Sequence, residues 1–581
     1  HAGNTKTMRR NERSVTVESA MPSTSSAAVS SAPAAASPLV ADESPVSGLT
    51  RRQLPFIPVF AQSVAAIAPA GTSAVTPLFV IAAMSGAGGV ISFAVAMVVV
   101  MMISACIRPM AQRLAVVGGL YSYVAQGLGS RVALPTAWSA VVGYGSVSMA
   151  GLLAVGLYLN HIAVSVGVST SVWLPAVCAI VVVAAALMTV LMVRGIKVSA
   201  TATLVIEVVA VVILVGLMAW LGITHHSADW SQVFAPQVDV GSMGLMIVVA
   251  VSAFVGFESA TTLSAEAHRP FRSVPRTLRW TPIAAGVIYL LAVTTQSLAM
   301  FDAPAGVRES STPLAALFLS DGTRVTAVIL DIGIATSFFA CALASVNALV
   351  RVLFTLGRER VVPEAFGRTH RRFHTPAVAT VWAMAIVTLG PLVFLWCGGN
   401  PQDGIRDFLT LSALGYMGSY LTACLASPVL LGRIGEPSKR IMALGVVTAV
   451  ILGVLLVTAF GTGVGHGRVL GVVYVASMIV VTALVLFVAR RSPRLLAGVG
   501  VFDATTSADI LTTATLRRAG EGVGRRTGVR GRDGDRSCAE IGFGGARAAD
   551  HRDRRRPRHR YDGPRHRRAP RTPVREHLPV S

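Results

Sequence analysis

Two interruptions in apolar sequence carry the residues that could do chemistry. The stretch QSVAAIAPAGTSAVTP (residues 62–77) lies in a run long enough to cross a bilayer, yet Pro69, Gly71 and Pro77 break its helical pattern. Proline removes a backbone donor and clashes with the preceding turn, and glycine accepts non-helical dihedrals. Irregular backbone survives in hydrocarbon only where it lines a protein cavity or binds something, because unpaired N–H and C=O groups are expensive there. The second stretch, VSAFVGFESATTLSAEA, sets Gly256 between Phe254 and Phe257 and follows it with Glu258 and Ser259. A half-helix after Thr72 offers free N–H groups and a partial positive charge, suited to a carboxylate. Carbonyls freed at residues 67–69 and at Phe254 and Val255 suit an ammonium group. A site of both polarities fits an α-amino acid or a related amine. Phe254 or Phe257 is placed to cap such a solute, with plain packing the alternative.

The elements that must position these residues follow from composition. Of 581 residues, 53% are hydrophobic and only 13% charged, against about 25% charged in soluble domains. The expectation is an all-α polytopic membrane protein. Twelve apolar spans can be drawn at residues 56–84, 87–107, 133–163, 171–193, 199–221, 243–263, 280–300, 325–355, 377–397, 407–431, 441–460 and 469–489. The two interruptions fall in spans 1 and 6. Each lies about 13 or 14 residues from its span's start, roughly 20 Å deep at 1.5 Å per residue. Approached from opposite faces, they meet near mid-membrane, as corresponding broken helices of an inverted repeat do.

Arginine and lysine crowd alternate loops, including Arg51 and Arg52, Arg108 and Arg113, Arg269 to Arg279, and Arg351 to Arg372. The opposite loops hold only Arg308, Arg324, Arg406 and Arg468. The positive-inside rule then puts both termini in the cytoplasm of a multi-pass protein of the cytoplasmic (inner) membrane. Residues 1–50 read as a disordered Ser/Ala/Pro-rich leader, 51–495 as the membrane domain, and 496–581 as an Arg-rich tail. That tail suits anionic lipid headgroups or nucleic acid, or is out-of-frame text, and no function is assigned to it. The net charge of +22 is therefore no signal for nucleic acid. Six scattered cysteines show neither redox nor metal spacing. His225 and His226 read as solvated, and so does Asp331 near the end of span 8. No Walker loop, nucleophile motif or metal cluster supports an enzyme, a cofactor or a metal site.

Beyond these features, the chain resembles the amino acid–polyamine–organocation permeases. The resemblance rests on SVAAIAPAGTSAVTP, on GGLYSY at residues 118–123, on AFVGFESATTLSAEAHRPFRSVPRTL, and on SVNALVRVLFTLGRERVVPEAFGRTHRRFHTPAVA. It implies a LeuT-like fold of two inverted five-helix repeats plus two helices, working by alternating access. It also implies that substrate binds at Ala68, Pro69, Ala70, Gly71 and Thr72, with Phe254, Val255, Gly256, Phe257 and Glu258 completing the pocket. Some members carry a lysine in span 5, where this chain has none in the interior.

Carboxylates inside the membrane are costly, about 2.5 kcal/mol or more on insertion scales, and functional by default. Glu207 and Glu258 are thus candidates for coupling or gating, with Ser345 a weaker candidate for a sodium ligand. A packing role is the alternative for each. Proton coupling is favoured over sodium. In EAHRPFRSVPR (residues 266–276), Pro270 and Pro275 bound a basic turn that serves either an inner gate or topology alone. The expectation is a secondary transporter importing an amino acid or amine, with lipid its surroundings and its oligomeric state open. An amino acid/polyamine exchanger, or a non-transporting sensor on the same fold, remains the alternative.

Overall fold

The computed structural model describes residues 51–83, 87–167, 173–224, 240–301, 303–310, 312–461 and 467–492, with positions 44, 48, 49, 231, 494, 496 and 498–503. The remaining leader, His225, His226 and the Arg-rich tail beyond residue 503 lie outside the described residues.

The helices are α1 (Phe56–Ala66), α2 (Pro69–Ala83), α3 (Ala87–Ala111), α4 (Leu120–Leu128), α5 (Ser130–Ser165), α6 (Trp173–Arg194), α7 (Ile196–Thr224) and α8 (Val240–Ser252). A short 3₁₀ segment, Ser259–Leu263, comes next. Then come α9 (Pro270–Phe301), α10 (Ala305–Arg308), α11 (Pro313–Ser320), α12 (Arg324–Arg358), α13 (Ala377–Trp396), α14 (Pro401–Arg433), α15 (Lys439–Gly461) and α16 (Gly467–Arg491). Among the described residues eleven helices are long and apolar enough to cross a membrane, counting α1 and α2 as one. The sixth expected span is not among them, because its apolar helix Ser242–Ser252 stops short. The chain is an all-helical, multi-pass membrane protein.

Packing separates a protein-facing core from a lipid-facing ring. On α7, Val205, Val208, Val209 and Val212 are exposed while Glu207 is buried. The outermost helices α15 and α16 expose runs of valine and leucine. Inside, α5 and α14 approach through small residues, and a Cβ added to Gly415 would stand 2.5 Å from the amide nitrogen of Gly143. Without water to drive association, such close backbone packing supplies the attraction between membrane helices.

One face is closed by polar contacts from both ends of the described chain. Arg52 donates to Ala265 O (3.0 Å), Leu54 to Glu266 O (2.8 Å), and His268 to Leu54 O (2.7 Å). Arg351 and Glu266 form a buried ion pair at 2.8 Å. The carboxylate of Asp503 takes Ser44 Oγ and Arg51 Nε, each at 2.8 Å. Glu359, just past α12, accepts the amides of Gly500 (2.7 Å) and Val501 (2.8 Å) and the hydroxyl of Tyr121. The sequence expectation of a turn bounded by Pro270 and Pro275 is corrected here. Pro270 opens α9, where a proline in the first turn forfeits no hydrogen bond, and Pro275 lies inside the same helix.

Candidate functional site

The break in span 1 comes one residue earlier than its prolines suggest. α1 ends at Ala66, Ala68 adopts φ +44°, and Pro69 starts α2. The proline ring disfavours helical geometry in the residue before it, which expels Ala68 from the helix. Thr72 N is already bonded to Ala68 O at 2.8 Å, so the free donors are not those beyond Thr72. They are the amides of Ala70 and Gly71, and both are occupied by side chains. Ala70 N donates to Glu207 Oε1 at 3.2 Å, and Gly71 N to Ser337 Oγ at 2.9 Å. Ser337 in turn donates to the same Glu207 oxygen at 2.9 Å. The N-terminus of α2 thus holds a carboxylate, and the carboxylate is the protein's own.

The carbonyls released at the break also have partners. Cys341 Sγ points to Ala66 O at 3.1 Å, and Thr72 Oγ1 to Ile67 O at 3.0 Å. Tyr289 on α9 shares its hydroxyl between Ile67 O (3.2 Å) and Ala253 O (2.8 Å). One side chain therefore bridges the two interruptions.

The second interruption runs from Ala253 to Glu258, between α8 and the 3₁₀ segment. Gly256 has φ +95°, and a Cβ there would lie 3.0 Å from Ala66 O. Only glycine accepts both that backbone and that approach without strain. The Gly256 amide donates to Tyr420 OH at 3.2 Å. Farther along, Ser259 Oγ reaches Gln62 O (3.2 Å), and Ala260 N reaches Ser63 Oγ (3.1 Å). The two broken spans pack directly on each other.

Glu258 is fully buried and sits in a cage of tyrosines. Tyr144 of α5 donates to its Oε1 at 2.9 Å, and Tyr420 of α14 to its Oε2. Tyr416 packs edge-on against Tyr144 at 5.1 Å between centroids. Phe254 meets Tyr289 edge-on at 4.9 Å, and Phe257 lies 5.6 Å from Tyr420. Both phenylalanines are buried among these rings.

Ala68, Pro69, Ala70, Gly71 and Thr72 come together with residues 254–258 around one junction, and Glu207 joins them from α7. Ser345 is buried on α12, eight residues and roughly 12 Å along the helix from Ser337. Asp331 is not solvated: its side chain is 1% exposed and lies 2.6 Å from His161 Nδ1. Sequence reasoning did not single out Tyr289, Tyr416, Tyr420 or Ser337. Polar side chains in the middle of apolar spans were the available signal, because a buried hydroxyl needs a partner there.

A broken-helix junction with paired polarities, among eleven membrane-capable helices in the described residues, fits the class of membrane transporters. The sequence profile of the family described as amino acid permease matches residues 54–488, and the chain belongs to that family. An uncharacterized transporter of Rhizobium meliloti is 25% identical over 57% of this chain and 70% of its own length. A branched-chain amino acid permease of Bacillus subtilis is 23% identical over 59% of this chain and 72% of its own. A D-serine/D-alanine/glycine transporter of Escherichia coli is 29% identical, over 29% of this chain and 35% of its own length.

Proposed function

We propose that the chain imports a neutral amino acid across the cytoplasmic membrane, with both termini inside, by alternating access at the junction of the two broken spans. Twelve spans in two inverted five-helix repeats plus two helices suit this reading. The observation that carries it is the carboxylate already resting on the α2 N-terminus, Glu207 Oε1 at 3.2 Å from Ala70 N. A helix end that holds one carboxylate is built to hold another. The substrate carboxylate takes these amides once Glu207 withdraws, and its ammonium turns to the break carbonyls and Glu258.

Proton coupling follows from the exchange. A protonated Glu207 is a weaker acceptor than an ionised one, so binding a proton frees the amides and raises affinity for the substrate. Substrate and proton then bind together, which is the requirement for symport. The relatives named for branched-chain residues and for glycine, D-alanine and D-serine point to substrates with uncharged side chains.

The test is uptake into proteoliposomes of labelled glycine, L-alanine, D-serine and L-leucine, with and without an inward proton gradient. Saturable uptake of at least one, accelerated by the gradient, is the expected result. Absence of flux for every amino acid would overturn the transport reading, and gradient-independent flux would overturn the coupling.

A further inference from the structure

Beyond the break, away from the face where Arg51 meets Asp503, lies a cavity of about 260 Å³. Ala74 and Leu78 of α2, Tyr158 of α5, Asp331 of α12, and Arg308 and Thr312 of the α9–α12 connection line it. Its place is fixed on two helices at once. Ala74 stands three residues past Gly71, and Ile334, also in its wall, three residues before Ser337. Three residues are about 4.5 Å of helix, so the cavity begins one turn outward of the junction. The ring of Phe338 marks the boundary, because it lies 3.0 Å from where a Cβ on Gly71 would stand.

Asp331 is the unusual wall residue. Its Oδ2 is held 2.6 Å from His161 Nδ1, and Thr312 Oγ1 lies 3.5 Å from the other ring nitrogen. Its Oδ1 is buried and has no hydrogen-bond partner. A buried carboxylate oxygen left unpaired is expensive, and such exceptions call for a ligand or an ion. Arg308, on the same cavity, is exposed. The cavity falls below the roughly 300–1,000 Å³ of sites for drug-sized ligands, a size for a small solute.

We propose that this cavity is a second binding site, an outer staging site for an amino acid zwitterion. Asp331 Oδ1 accepts the ammonium and Arg308 binds the carboxylate, while Leu78 and Tyr158 face an uncharged side chain. The solute then passes Phe338 to reach the junction. The assignment of an amino acid rests on the function proposed above, but the site has its own readout.

The experiment compares wild type with Arg308→Gln and Asp331→Asn, measuring uptake of labelled glycine and L-leucine together with their equilibrium binding to the purified chain. Each substitution is expected to raise KM about tenfold, the scale of one charge-assisted hydrogen bond, with kcat unchanged. Arg308→Lys is expected to recover part of the loss. Arg308 is exposed, so its substitution tests the site even if Asp331→Asn fails to fold. Unchanged KM and unchanged binding in Arg308→Gln would overturn the staging site and leave transport intact. Binding that falls in Arg308→Gln, in a chain with no uptake, would keep the site and overturn transport. Neither uptake nor binding in wild type would overturn both.

Discussion

Glu207 Oε1 lies 3.2 Å from the amide nitrogen of Ala70, and the two residues are 137 positions apart in the chain. That contact links α7 to the N-terminus of α2 and places an ionisable group on the donor that a substrate carboxylate would use. Ser337 from α12 reinforces it by bonding both Glu207 and Gly71. Three helices therefore meet at one buried carboxylate.

The tyrosines around Glu258 should differ in importance. Tyr144→Phe removes one donor to the carboxylate. Tyr420→Phe removes the other and also strips the acceptor of the Gly256 amide. Each buried polar group left unpaired costs about 1–3 kcal/mol. Thermal unfolding of the purified variants should show Tyr420→Phe the more destabilised, whereas equal losses would contradict the cage. Glu258→Gln should weaken uptake or flatten its pH dependence.

Gly256 and Gly71 make a contrasting pair. Gly256→Ala combines a φ of +95° with a Cβ 3.0 Å from a backbone oxygen, and the strain of such a backbone is about 1–3 kcal/mol. At Gly71 the neighbour is the Phe338 ring, also 3.0 Å away, and a side chain yields more readily than backbone. Gly256→Ala should abolish uptake and lower the melting temperature, with Gly71→Ala milder in melting. The reverse order would show that the two spans do not meet at Gly256.

Both interruptions were legible in the sequence because proline and glycine act on their own backbone. The freed amides lie a residue or two earlier than expected, since Pro69 acts on Ala68 rather than on the residues after it. Partners of those amides and of the released carbonyls were not legible: Glu207 arrives from α7 for an amide and Tyr289 from α9 for the carbonyls, and nothing local encodes either meeting. Asp331 looked like a mouth residue from its place near a span end. It is buried because the α9–α12 connection folds over that end, bringing Thr312 close to His161.

The Arg351–Glu266 pair tests closure of the face where Arg51 meets Asp503. Both side chains are at most 5% exposed and lie 2.8 Å apart. Removing one partner from a buried pair strands a charge and costs about 3–5 kcal/mol, while replacing both with apolar residues is close to neutral. Arg351→Met and Glu266→Met should each lower the melting temperature clearly, and the double variant should recover most of it. A double variant as unstable as the sum would contradict the buried pair.

Folding stability should depend on pH through Glu359. Burial pushes its carboxyl up to about 7, against the opposing pull of the Val501 and Gly500 amides. The folded chain therefore holds a proton there more tightly than the unfolded chain, whose carboxyl is ordinary, near about 4.3. The contribution to stability is fully present below that ordinary value and is lost as pH rises through about 7. Thermal unfolding of the purified protein should show stability falling from about pH 5 to pH 8, and Glu359→Gln should remove that part of the fall. A fall of equal size in Glu359→Gln would contradict the assignment.

In the proposed transport cycle, substrate and Glu207 compete for the amides of Ala70 and Gly71. The most direct measurement is the Kd of a transported amino acid against pH, in wild type and in Glu207→Gln. Wild type should bind more weakly as pH rises and Glu207 ionises onto the amides. Glu207→Gln, permanently uncharged, should bind with pH-independent affinity at or above the low-pH affinity of wild type. The same pH dependence in both proteins would contradict the account.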